Sequence, residues 1–192
     1  MPVDPGTTFP IFSGALASNL IVGPYSSQLA AGLANGLFQY LTISVSVNSI
    51  DAGTLGVGTG NGFSLILSQG VILGVLEPML LGHGIFGLFS PSMANAIAMG
   101  VSVSMLGAQI ITTNPTVGTG AGKVQLVPTA TGGLVFAAAL KEVGLTGVGS
   151  DSLGLAIGDP LDSVIATTVG VIAIAGSPSN VPSSGVGTGR LI

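Results

Sequence analysis

The chain has 192 residues, three basic and seven acidic, no cysteine, and a formal net charge of −4. That length suits one domain of ordinary size. The three cations, Lys123, Lys141 and Arg190, are scattered, which argues against nucleic acid as a partner, and without cysteine there is neither a disulfide framework nor a thiolate metal site. Charge occupies 5 % of positions where a soluble domain carries about 25 %, so much of the surface is expected to be covered by lipid or by other protein.

Taken in chain order, residues 1–13 are rich in proline and read as an extended N-terminal arm. They lack the basic start of a secretory signal. From residue 14 to 40, apolar residues recur at helical spacing, among them Leu16, Leu20, Leu29, Leu33 and Leu37. Pro24 divides this stretch into two helices, because a helix does not readily continue through proline. Residues 42–48 alternate β-branched and polar side chains and predict a strand, and residues 63–67 predict another after a glycine loop at 53–62. Helices are expected near 71–89 and 91–110, the second opened by Ser90-Pro91, a favourable helix start. A strand at 109–113, a second glycine loop and a strand at 123–128 follow. Helices at 132–143 and 150–168 come next, the latter interrupted near Asp159-Pro160. A strand at 169–175 and a plain loop end the pattern.

The tetrapeptide Val-Gly-Thr-Gly begins at Val57, Val117 and Val186. Repetition at this spacing points to one supersecondary unit used again. Its glycines, Gly58, Gly60, Gly118, Gly120, Gly187 and Gly189, are read as structural turns that permit positive φ or close backbone approach. The fold expected is therefore α+β. A single domain spans residues 14–176, with two loose helix–strand–glycine turn–strand–helix pseudo-repeats and a truncated third turn, and a C-terminal tail covers 177–192.

Candidate chemistry is sparse. Gly118-Thr-Gly-Ala-Gly-Lys123 resembles a phosphate cradle, but Val117 and Val124 stand where a Walker loop needs glycine and a hydroxyl residue. His83 is the single histidine and no Gly-x-Ser-x-Gly elbow accompanies it, so it reads as hydrogen-bonded packing. Asp151, Asp159 and Asp162 would suit a cation or an acid–base pair, yet their settings are those of helix-start residues that accept backbone N–H bonds. No catalytic, cofactor-binding or metal-ligating residue is assigned, and no cofactor or small-molecule substrate is expected.

Mean hydropathy is +0.84, so the apolar, uncharged segments 16–41 and 94–112 raise an alternative, a membrane-inserted pore or lysis protein. Sparse Lys and Arg, no Trp, and Gly or Pro every few residues oppose membrane spans. A further alternative is an enzyme using His83 with the aspartates. Low charge, absent cysteine, abundant Gly, Ala, Val, Ser and Thr, and Val-Gly-Thr-Gly turns followed by short strands resemble structural proteins of tailed-phage virions. The resemblance implies a non-enzymatic subunit of a large homo-oligomeric assembly, in a capsid, neck, tail or baseplate. Its partners would be copies of itself and other virion proteins, with assembly in the host cytoplasm. It transfers no functional residue.

Overall fold

The computed structural model describes residues 4–44, 46–54, 57–65, 68–106, 109–114, 120–127, 132–147, 149–167, 169–176 and 183–191. Three units follow one another, each with two helices and then two strands. The first holds α1 (Pro5–Ser18), α2 (Ser26–Gln39), a π-helical turn (Tyr40–Ser44), β1 (Ser46–Thr54) and β2 (Val57–Leu65). The second holds α3 (Gln69–Gly82), α4 (Ser90–Leu106), β3 (Gln109–Asn114) and β4 (Gly120–Val127). The third holds α5 (Gly132–Glu142), α6 (Ser150–Thr167), β5 (Val169–Gly176) and β6 (Ser183–Leu191).

The units share one buried pattern. Along the first helices, Thr8, Phe12 and Leu16 correspond to Ile72, Leu76 and Leu80, and to Gly132, Phe136 and Leu140. A step of four residues keeps each set on one helix face. Along the second helices the buried series is Leu33, Leu37, Tyr40, Leu41, matched by Ile97, Val101, Ser104, Met105 and by Ile157, Leu161, Val164, Ile165. Offsets of four, seven and eight are again one stripe of a 3.6-residue period. Each helix packs on the next, α1 on α2 through to α6, and α6 closes back on α1.

Three turns of one design join the helix pairs. Leu20, Gly84 and Gly144 adopt φ of 60°, 82° and 84°. Behind them the Ile21, Ile85 and Leu145 N–H groups donate to the carbonyls of Leu16, Leu80 and Leu140 at 2.8, 2.9 and 2.9 Å. This left-handed C-terminal cap satisfies carbonyls that a helix end leaves open. The second helix of each pair then starts at Ser26, Ser90 or Ser150, whose N–H donates to the carbonyl of Gly23, Gly87 or Gly147.

The helices approach closely where side chains are absent. A Cβ on Gly36 would lie 2.5 Å from Leu76 Cδ2, one on Gly100 2.7 Å from the Phe136 ring, and one on Gly154 2.5 Å from the Ala137 nitrogen. Gly158 and Gly132 sit backbone against backbone.

The strands form a separate layer, a closed antiparallel barrel in the order β1 to β6, joined to the bundle where α6 meets β4 and where the π turn meets β6. Its register sets Gly60 and Gly185 on either side of Asp51, and Gly187 opposite both Ser49 and Ile174.

Several expectations are corrected. The α+β domain is overturned: among described side chains the buried core lies wholly on helical residues and is a six-helix bundle. There are three full units rather than two and a truncated turn. Residues 5–13 of the expected extended arm are helix α1, since Pro5 suits a first helical turn and Thr7 and Thr8 return hydrogen bonds to the Asp4 carbonyl. Residues 183–191 of the expected tail are β6, which closes the barrel against β1. Gly58, Gly60, Gly120, Gly187 and Gly189 are ladder residues of β2, β4 and β6 rather than turns, because extended backbones pair with Gly58, Gly60, Gly187 and Gly189 on both sides and with Gly120 from β5. Gly118 lies outside the described residues. Pro160 does not interrupt α6.

Candidate functional site

The three helix-pair turns gather at one end of the bundle, away from the strands. Turn one (20–25) and turn two (84–89) present apolar side chains to solvent. Leu20, Val22 and Tyr25 are 84, 73 and 62 % exposed, and Phe86, Leu88 and Phe89 are 73, 88 and 63 % exposed. Turn three, described at 144–147 and 149, shares the left-handed cap but offers small residues, with Thr146, Gly147 and Gly149 exposed. Two grooves separate the turns. One, about 510 Å³, runs between turns one and two over Leu29 and Met93. The other, about 500 Å³, runs between turns two and three over Met93 and Leu153.

The local sequence explains this prominence. The caps leave the chain no further helical direction, and Pro24, Gly87 and Gly147 then turn it back within a few residues. In each turn one apolar side chain, Ile21, Ile85 or Leu145, packs back on the core, whereas Leu20, Val22, Phe86, Leu88 and Phe89 stay outside it. No charged residue occurs in 19–26 or 84–93.

The chemically suggestive residues do not form one cluster: His83 and Asp151 border turns two and three, and Asp159 and Asp162 lie together at the start of α5. His83 caps the C-terminus of α3, and its Nε2 lies 3.2 Å from Asn35 Nδ2 on α2. That amide also donates to the Ala31 carbonyl at 2.9 Å, so the histidine ties two helices together. Asp151 lies in the first turn of α6 and pairs with Lys141 at 2.6 Å, both well exposed, a geometry worth little in water. Asp162 accepts a hydrogen bond from the Gly132 N–H at 3.1 Å, and the Asp159 carboxylate lies beside Gly133. Asp162 serves the N-terminus of α5 from the neighbouring helix, where a carboxylate meets open N–H groups, with Asp159 alongside. The expectation that they start their own helix is corrected, since both lie in the interior of α6. Among the described residues no group of three His, Cys, Asp or Glu side chains is placed to hold a metal ion.

Two buried hydroxyls stand apart. Tyr40 Oη and Ser104 Oγ have no hydrogen-bond partner among the described residues. Burial pushes the Tyr40 phenol up to about 12, because desolvation penalises the charged form.

The sequence reading missed the tip face. The signal was present as an eleven-residue pattern: Leu, three residues, Leu or Gly, Ile or Leu, any residue, Gly, two residues, Ser. It begins at Leu16, Leu80 and Leu140. The Val-Gly-Thr-Gly copies drew attention to the strands instead. No described helix is long and apolar enough to cross a membrane. Comparison with models of known families, with characterised proteins and with solved structures finds no match to this chain.

Proposed function

We propose that the protein is a structural subunit of a large homo-oligomeric assembly, of the kind that builds a tailed-phage virion, with copies of itself and other virion proteins as partners. The observation that carries this reading is the uncharged tip face, with six apolar side chains exposed by 62–88 % at one end of the molecule. Apolar patches rimmed by polar residues mark interaction sites. The body behind the face supports a mechanical role. Helix ring and barrel each close on themselves, so association uses side-chain faces rather than a sheet edge. The separated His83 and aspartates offer no constellation for acid–base work.

Light scattering coupled to size exclusion, on protein prepared without detergent, tests the proposal. A defined multiple of 18.6 kDa is expected. A stable monomer at all accessible concentrations would overturn it.

A further inference from the structure

We infer that the tip face is the docking surface for a second copy of this chain, the two copies meeting turn to turn. The inference rests on the homo-oligomeric reading above and names the surface through which it operates.

Area is the first argument. Tyr25, Phe86 and Phe89 are exposed by 62–73 %, and aromatic side chains bury about 150–250 Å² each, so with Leu20, Val22 and Leu88 the face offers on the order of 700 Å². That exceeds the apolar patch of an ordinary monomer, about 300–600 Å². It approaches the roughly 800 Å² per partner of a standard stable interface.

Charge chooses between a copy and a lipid surface. Identical molecules of net charge −4 repel, and turns one and two, with no charged residue in 19–26 or 84–93, bring no like charges together. Membrane-surface binding instead draws on a collar of Lys and Arg beside the apolar residues. Around turn three the charge of Lys141 is offset by exposed Asp151 and Glu142, so no positive collar forms there.

Shape supplies the third argument. The three units share the left-handed cap and the hydrogen bonds around it but differ in side chains at the tips. Turn two is bulky, with Phe86, Leu88 and Phe89, whereas turn three is small, with Thr146, Gly147 and Gly149. The groove between them, about 500 Å³, is bulky on one wall and recessed on the other. In a two-fold pair, the projecting turn of each copy enters the recessed groove of the other. An isologous contact is self-complementary in this sense.

The test compares wild type with Leu88→Asp and, separately, Phe86→Asp by light scattering. A control, Leu134→Asp, alters an α5 side chain that is 76 % exposed and lies outside the turns. Circular dichroism melts confirm that each variant folds, as expected for substitutions at exposed positions. The expected result is that each tip variant weakens self-association at least 100-fold while Leu134→Asp does not. If wild type assembles and both tip variants assemble equally well, the docking surface is overturned while the homo-oligomeric reading stands. If wild type is monomeric, both fall. If monomeric wild type floats with phosphatidylcholine vesicles and the tip variants do not, the face is a lipid anchor and the inference is overturned.

Discussion

Tyr40 and Ser104 occupy the same position in successive units, and both are buried hydroxyls without a hydrogen-bond partner among the described residues. The third unit places Val164 there, 1 % exposed. A buried polar group without a partner costs about 1–3 kcal/mol relative to its hydrated state, so the two hydroxyls are a weak point where the bundle approaches the barrel.

For Tyr40 the consequence depends on pH. The folded phenol titrates near 12 against 10.0 for the ordinary group. Between these values the unfolded chain has lost the proton and the folded chain keeps it, so stability falls as pH rises. The stabilising difference is fully present below pH 10 and lost through about 12, a change of about 2–3 kcal/mol. Urea unfolding at pH 8, 10 and 11.5 should show this decline in wild type and a smaller one in Tyr40→Phe. At pH 7 the same variant should gain up to about 1 kcal/mol. A loss of more than 1 kcal/mol would mean that the hydroxyl has a partner after all.

Ser104→Val copies what the third unit already contains. It removes the second orphaned hydroxyl and adds buried apolar surface, so a gain of about 1 kcal/mol is expected. Thermal denaturation followed by circular dichroism reads this directly. A lowered midpoint would indicate that the site is too tight for the extra methyl group.

The closest helix approach gives a contrast between two glycines. Gly158→Ala pushes a methyl group into the backbone of Gly132 and should destabilise by about 3 kcal/mol or abolish folding. Gly74, in the interior of α3, faces open space. Gly74→Ala should therefore stabilise by about 0.5–1 kcal/mol through helix propensity alone. Equal effects of the two changes in chemical denaturation would refute the packing described.

The three caps differ in a way that mutation can expose. Two units use glycine at the left-handed position, with φ of 82° and 84°, and the first uses Leu20 at 60°. A non-glycine residue there costs about 1–2 kcal/mol. Leu20→Gly is therefore expected to raise stability by about 0.5–1 kcal/mol, and Gly84→Ala to lower it by about 1. Because Leu20 also belongs to the tip face, the stability measurement is made on dilute protein, where association does not contribute.

Asp162 offers a final check on the N-terminus of α5. Asp162→Ala removes the acceptor of the Gly132 N–H and should cost about 1 kcal/mol. Breaking the exposed pair with Lys141→Ala should change stability by less than about 0.5 kcal/mol. A larger effect from Lys141 than from Asp162, measured by urea midpoints, would reverse the roles assigned to them.

By itself the sequence determined where several segments begin. Proline, serine and glycine act on the residues beside them, so α4 at Ser90, α5 at Gly132, α6 at Ser150 and β3 at Gln109 stand where local chemistry places them. Composition likewise carried the sparse charge and the missing cysteine. Only the tertiary structure decided what joins to what. β6 reads as a tail until β1 supplies its partners, and Gly58 reads as a turn until β3 runs beside it. Asp162 reads as the start of its own helix until Gly132 is brought 3.1 Å away. Hydrogen-bond partners and helix contacts distant in the chain leave no period in the sequence around them, and burial is defined only once the ring of helices has closed.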